Sequence, residues 1–252
     1  MNLDSENSDI DVSIIAQENE ITLLNTIADA IESCKSPYFQ ISRVLQARIP
    51  LISIVDTLAD NLQLDLSIWK LDKLEIAKVF EAYLSIDERV TPLIYAVRVW
   101  SKARKINNAY TGWINSFGWT VMVVAFLQIN SVVPQIEELD LTKEKQDWQI
   151  TNSSPVGVLF VQFFEWLLAF DYEKQRISIR HGGVTAKEAD KFTDDVVFCV
   201  ERPRTPYQNI TRQVCHRTLK VIRKEWKRVL RLIEQGAKFQ DLCAASDTHK
   251  LN

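Results

Sequence analysis

Apolar and polar positions alternate in the early part of the chain, and from Leu71 the apolar residues recur every three or four positions. Three segments carry the period of two expected of strands: SDIDVSIIA (Ser8–Ala16), ARIPLISIVD (Ala47–Asp56) and LQLDLSIW (Leu62–Trp69). The third alternates cleanly, with Leu62, Leu64, Leu66 and Ile68 on one side and Gln63, Asp65 and Ser67 on the other. Between the first two, NEITLLNTIADAIESC has helical periodicity and stops ahead of Lys35-Ser36-Pro37. From Leu71 the pattern is helical almost throughout: LDKLEIAKVFEAYLS, RVTPLIYAVRVWSKARKIN, NSFGWTVMVVAFLQIN, SPVGVLFVQFFEWLLAF and HRTLKVIRKEWKRVLRLIE, with short polar or proline-containing links. This order predicts an α+β fold, with a sheet-bearing part over residues 1–70, a mainly helical part over 71–240 and a tail over 241–252.

Composition narrows the classes. A chain of 252 residues with 46% hydrophobic and 25% charged residues can build a substantial globular core. Only six glycines argue against an all-β barrel. The most apolar stretch, Val156–Phe170, is broken by Gln162 and Glu165 and is too short to span a bilayer, so no membrane partner is expected. Cys34, Cys199, Cys215 and Cys243 form no CxxC pair, and His181, His216 and His249 lack ligand spacing. That argues against a structural zinc centre and predicts reduced, buried cysteines in an intracellular protein.

The net charge of −3 announces no polyanion binder, but the charge is uneven. His216–Glu234 carries Arg217, Lys220, Arg223, Lys224, Lys227, Arg228 and Arg231 opposite a helical stripe of Leu219, Ile222, Trp226, Val229, Leu230 and Ile233. This face reads either as solvated surface or as an RNA-backbone contact, with Lys224, Lys227 and Arg228 the residues that would distinguish the two.

Asp9 and Asp11 are two positions apart on a predicted strand and so share a face. Two carboxylates that close repel unless a cation lies between them. Asp65, central on another strand, supplies a third oxygen ligand if the two strands are near neighbours. Three carboxylates on one face suit two Mg²⁺ ions acting in phosphoryl transfer. The alternative is an exposed edge strand with solubilising aspartates.

From Asp87 the chain reads DERVTPLIYAVRVWSKARKINNAYTGWINSFGWTVMVVAFLQINSVVPQI. It resembles the pattern D-x-R-v-x-P-l-x-x-x-v-K-x-W-a-K-x-r-x-I-N and the following S-Y/F-x-x-x-l-M-v-x-x-x-L-Q segment of the terminal uridylyltransferase and poly(A) polymerase family. That family lies within the DNA polymerase β-like nucleotidyltransferases. SSPVGVLFVQFFEWLLAFDYEKQRISIRHG resembles the poly(A) polymerase-associated region of the same family, and FCVERPRTPYQNITRQV its closing C-I-E-D-P-F…N-x-x-R segment. ARIPLISIVD matches its A-R-V-P-I-v-k-f strand. The resemblance covers nearly the whole chain, in the right order. It implies a nucleotidyltransferase palm with a mixed sheet, followed by a helical central domain like that of poly(A) polymerases and oligoadenylate synthetases.

Carried over by position, the resemblance makes Asp9, Asp11 and Asp65 the catalytic, metal-binding aspartates, holding two Mg²⁺ (or Mn²⁺) ions. Lys102 matches a phosphate-binding lysine, and Arg98 replaces another. Ser116 stands where the family contacts phosphate, and Phe117 where an aromatic stacks on the base; Phe117 reads equally as a core aromatic at helical spacing. Glu201 and Asn209 match the closing segment, Arg212 its arginine, and Gln208 stands where some uridylyl-transferring members have histidine.

The implied partners are an NTP (UTP or ATP) and an RNA 3′ end. The implied activity is template-independent addition of nucleotides, UMP favoured over AMP, with a degenerate RNA-binding scaffold as the remaining alternative. Two departures bear on it. Ile76 stands where the family offers a ribose-contacting asparagine, and the Gly-Ser motif that holds the triphosphate is expected just ahead of Met1.

Overall fold

In a computed structural model the chain divides into two compact units between Ala77 and Lys78, inside one helix. The structure describes residues 10–245 apart from 48, 70, 145 and 193–195.

The first unit is a four-stranded mixed sheet with one helix on it. β1 (Ile10–Ile15) leads to α1 (Glu20–Ser33), then β2 (Phe39–Val44), β3 (Leu51–Asp56) and β4 (Leu62–Trp69), in the spatial order β1-β4-β3-β2. β1 runs parallel to β4, while β3 is antiparallel to both of its neighbours. α1 starts where Asn19 Oδ1 accepts the Thr22 backbone N–H at 3.1 Å, a side-chain cap for an otherwise unpartnered donor. Leu24 and Ala28 of α1 are fully buried against Ile52, Leu66 and Ile68, with Val12, Ile14, Ile41 and Ile54 around them. These sheet residues occupy alternate positions of their strands, so one whole face is apolar and covered.

β2 carries no strand signal in the sequence, for a physical reason. Five of its six residues are exposed, so FQISRV has almost no burial alternation to read. It is held instead by its ladder to β3 and by Arg43, which reaches Asn25, Asp29 and Glu32 on α1 at 2.7 to 2.9 Å.

The second unit begins within α2 (Leu71–Ile86) and continues through α3 (Val90–Ala103), α4 (Ser116–Ile129), α5 (Val156–Ala169), a hairpin of β5 (Gln175–Ser178) and β6 (Gly183–Ala186), α6 (His216–Glu234) and α7 (Phe239–Leu242). α4 is buried on every side from Gly118 to Gln128, which its uninterrupted apolar sequence requires. It packs on α3, α5 and β6, and α5 packs in turn on α3 and α6. Trp100 meets Trp119 and Phe164 edge-on, with ring centroids 5.6 and 4.7 Å apart.

Gln128 ends the buried run. Its amino group lies 2.8–3.0 Å from Tyr83 Oη, Pro134 O and Ile179 O, joining three separate segments. Gly183, at φ +104°, lies so close to α4 that a Cβ there would sit 2.6 Å from Ala125 O. The hairpin interrupts a region expected to be mainly helical; strands of four residues are too short to register as a period of two.

Two ion pairs fasten the helices. Asp87 takes a two-pronged contact from Arg89 at 2.8 and 2.9 Å, and the same guanidinium donates to the carbonyls of Asn152 and Ser154 ahead of α5. Arg104 and Glu225, both buried, meet at 2.8 and 3.0 Å across 121 residues of sequence. The cysteine expectation holds for Cys199 alone in burial, its thiol pushed up to about 12 by desolvation. Cys34 and Cys215 are exposed and Cys243 is half-buried, all four being free thiols. No helix among the described residues is long and apolar enough to cross a membrane.

Removing one partner of the Arg104–Glu225 pair strands a buried charge. Arg104→Ala is therefore expected to lower stability by about 3–5 kcal/mol, while the apolar double replacement Arg104→Met/Glu225→Leu recovers most of the loss in denaturant unfolding. Arg89 holds the Asp87 carboxyl below its ordinary range, so the pair contributes above the unfolded-state value and is lost as pH falls through the folded one. Asp87→Asn is expected to be less stable than the parent near neutrality, the gap closing as unfolding is measured from about pH 5 down to about pH 2.

Candidate active site

On the first unit, the register of the two parallel strands puts Asp11 of β1 directly opposite Asp65 of β4. The row continues through Ser53 of β3 to Ser42 of β2. Residues opposite one another on neighbouring strands share a face, about 4.8 Å apart between strands. Because α1 covers the other face, this row lies on the polar side. The next row brings Ser13 and Ser67 to 3.5 Å between hydroxyl oxygens. Gln63 Nε2 donates to Asp65 Oδ1 at 3.0 Å, which fixes the orientation of that carboxylate.

Asp11 is exposed and Asp65 half-buried. Two adjacent carboxylates among hydroxyl and amide groups form an oxygen-only donor set, which suits a hard divalent cation. Asp9 lies outside the described residues. Among the described residues, no group of three or more His, Cys, Asp or Glu is gathered for a metal.

On the second unit, Ser116 is the first residue of α4, at the helix end where free backbone N–H groups favour an anion. Its hydroxyl donates to Asn107 Oδ1 at 3.1 Å, and Asn107 Nδ2 donates to Ser101 Oγ at 2.9 Å, so the loop after α3 positions it. Phe117 is half-buried and meets Phe80 edge-on at 5.6 Å, leaving part of the ring accessible. Arg98 and Lys102 stand one turn apart on α3, half-buried and exposed respectively.

Glu201 and Asn209 pair across the base of the loop between them, and both side chains are buried. Ser178 Oγ donates to Glu201 Oε2 at 2.5 Å and the Tyr207 backbone N–H to Oε1 at 3.0 Å, with Arg176 Nε and His181 Nδ1 each at 3.6 Å. Asn209 Oδ1 accepts from the backbone N–H groups of Val200 and Thr211 and from Thr211 Oγ1, while its amino group donates to Phe198 O. Both residues thus shape the loop on which Gln208 stands half-exposed.

Arg176, buried, lies 5.4 Å from the Tyr207 ring centroid and 5.8 Å from that of Phe192, and it also donates to Ala186 O and Glu188. Nothing in the sequence pattern marks Arg176, His181 or Tyr207 as site residues. Ser178 is signalled only by lying in the stretch that resembles the poly(A) polymerase-associated region. On α6, Lys224 and Lys227 are exposed, whereas the Arg228 guanidinium donates to the carbonyls of Leu242 and Asp241. Arg212 is exposed just ahead of that helix.

No family model matches the chain. Among curated proteins it is 27% identical over 268 residues to the poly(A) RNA polymerase cid13 of Schizosaccharomyces pombe, covering 96% of this chain and 46% of that protein. It is 28% identical over 270 residues to cid11 of the same organism, covering 99% and 55%. The mitochondrial poly(A) RNA polymerase of Mus musculus is 26% identical over 213 residues, or 76% of this chain and 35% of that protein. The chain thus spans about half the length of the first two relatives. Among solved structures, a cytoplasmic RNA terminal U-transferase superposes with a TM-score of 0.78 at 21% identity, over 97% of this chain and 82% of that one. Mitochondrial poly(A) polymerase in complex with UTP superposes with a TM-score of 0.77 at 19% identity, over 93% and 57%. At these identities the superpositions establish the fold alone: the chain shares the mixed sheet and helices of those two proteins.

Asn209→Ala leaves the backbone donors of Val200 and Thr211 without their partner, at about 1–3 kcal/mol for each group that water does not reach. A stability loss of at least about 2 kcal/mol is expected, with faster hydrogen exchange at the Val200 and Thr211 amides. Gln208→Ala, one residue away, is expected to leave both exchange rates at the parent value.

Proposed function

We propose that this chain is a nucleotidyltransferase that adds nucleotides to RNA 3′ ends without a template, with UTP as the favoured donor. The observation that carries this reading is the Asp11–Asp65 pair, held in register on the polar face of a nucleotidyltransferase sheet. The names of the relatives, all poly(A) RNA polymerases, support nucleotide addition to RNA, though not the choice of UTP.

Asp9, Asp11 and Asp65 would hold two Mg²⁺ (or Mn²⁺) ions. When bound, these supply the positive charge that favours an ionised attacking hydroxyl and stabilises the departing pyrophosphate. A solved relative, the Cid1 poly(U) polymerase, has been seen with Mg and 3′-dATP. Asp65, oriented by Gln63, accepts the hydrogen bond of the RNA 3′-hydroxyl.

In the other unit, Lys102 and Arg98 neutralise triphosphate oxygens, Ser116 meets a phosphate with its backbone N–H at the α4 N-terminus, and the accessible part of the Phe117 ring stacks on the base. Stacking suits any base, so selection falls to the 201–209 loop. There Gln208 offers its amide to the base edge, and Glu201 and Asn209 act by holding the loop in shape.

A glutamine amide can pair with uracil or adenine, and the relatives named above are called poly(A) polymerases, which favours ATP as the second donor. Ile76, buried in α2, is the observation behind a non-catalytic RNA-binding alternative, since it cannot hydrogen-bond a ribose.

Incorporation from each NTP in turn onto a labelled oligoribonucleotide is expected to be greatest with UTP and to fall to background in Asp65→Ala, with RNA affinity kept. Equal or greater incorporation from ATP reverses the donor assignment, absence of extension with every NTP rejects nucleotide transfer, and parental activity in a folded Asp65→Ala removes the metal-site assignment.

A further inference from the structure

The nucleotide-transfer roles above make no use of α6, yet its outer face forms a defined feature. His216, Lys220, Arg223, Lys224 and Lys227, with the ring of Tyr172, line a groove of about 460 Å³. The helix carries two acidic residues; Glu225 points inward to Arg104, and Glu234 ends the helix. Asp171 and Glu173 flank Tyr172 on the facing segment, where Asp171 Oδ1 accepts the backbone N–H groups of Glu173 and Lys174.

Lys220, Lys224 and Lys227 recur at helical spacing over about 10 Å of axis, so their charges form a row rather than a cluster. Beside that row, the Arg223 guanidinium lies over the Tyr172 ring at 4.8 Å from its centroid. A cation row attracts any polyanion, but a stacked arginine–tyrosine pair next to it offers flat surface to a nucleobase, for which an acidic peptide has no use.

We propose that this groove holds a stretch of single-stranded RNA, its phosphates along Lys220, Lys224 and Lys227 and one base on the Arg223–Tyr172 pair. RNA as the occupant rests on the reading of the chain as an RNA nucleotidyltransferase. Arg228 is no part of the groove, because its guanidinium holds the carbonyls of Asp241 and Leu242.

The test is equilibrium binding of a fluorescein-labelled oligouridylate of about 15 nucleotides, blocked at its 3′ end, over a series of KCl concentrations with EDTA and no NTP. Lys220→Gln/Lys224→Gln/Lys227→Gln, confirmed as folded by an unchanged thermal transition, is expected to weaken binding and to flatten the log–log salt slope by about 2, at roughly 0.7 for each single-strand phosphate that a lysine no longer neutralises. Tyr172→Ala is expected to weaken binding about tenfold with the slope kept, and Tyr172→Phe to bind as the parent does.

An unchanged slope in the triple variant overturns the inference, as does parental affinity in Tyr172→Ala. Oligoglutamate of equal charge binding as tightly, with the same dependence on the three lysines, assigns the groove to an acidic protein segment and overturns it too. Extension of RNA alongside an unchanged slope removes the groove and leaves nucleotide transfer. A groove-dependent slope without extension by any NTP does the reverse.

Discussion

The parallel pairing of β1 with β4 is the constraint on which the first unit depends. Side chains in a strand alternate between two faces, and a shift of one residue would exchange them all. The apolar set of Val12, Ile14, Leu64, Leu66 and Ile68 must lie under α1, because that burial is the unit's source of stability. Once it does, the register leaves Asp11 and Asp65 side by side on the other face. The carboxylate pair is thus placed by a hydrophobic requirement on the opposite side of the sheet, and neither aspartate has to contribute to folding.

The second unit is organised around a helix with no polar face. α4 is buried all round, so its neighbours must surround it, and the polar groups drawn inside need partners. Gln128, Asp87–Arg89 and Arg104–Glu225 supply such links between elements distant in sequence. The same accounting governs the loop from Glu201 to Asn209. Both residues that bound it spend their side chains on backbone and on Ser178, which makes the loop a shaped support for Gln208.

α6 shows how one helix serves two ends. Leu219, Ile222, Trp226 and Val229 are buried, and Glu225 joins them by meeting Arg104. The opposite face keeps its lysines exposed along a groove. Arg228 sits at the border, and a carbonyl cluster at α7 claims it. Seven basic residues that look equivalent in the sequence are therefore not equivalent in space.

Local pattern was enough to determine the α+β class, three of the first unit's strands with Asp11 and Asp65 on two of them, and all five long helices beyond residue 70. Periodicity and ordered motifs are properties of contiguous residues, and they survive without knowledge of the fold. β2 and the β5–β6 hairpin were invisible because the first has almost no buried positions and the other two strands are four residues long. Only the tertiary structure decided that Asp11 faces Asp65, that Glu201 and Asn209 are consumed in holding a loop, that Arg228 is engaged while Lys224 is exposed, and that Arg223 finds Tyr172. The reason is the same in each case: a polar side chain's role depends on which partner reaches it first, and here those partners lie from a few residues to more than a hundred away along the chain.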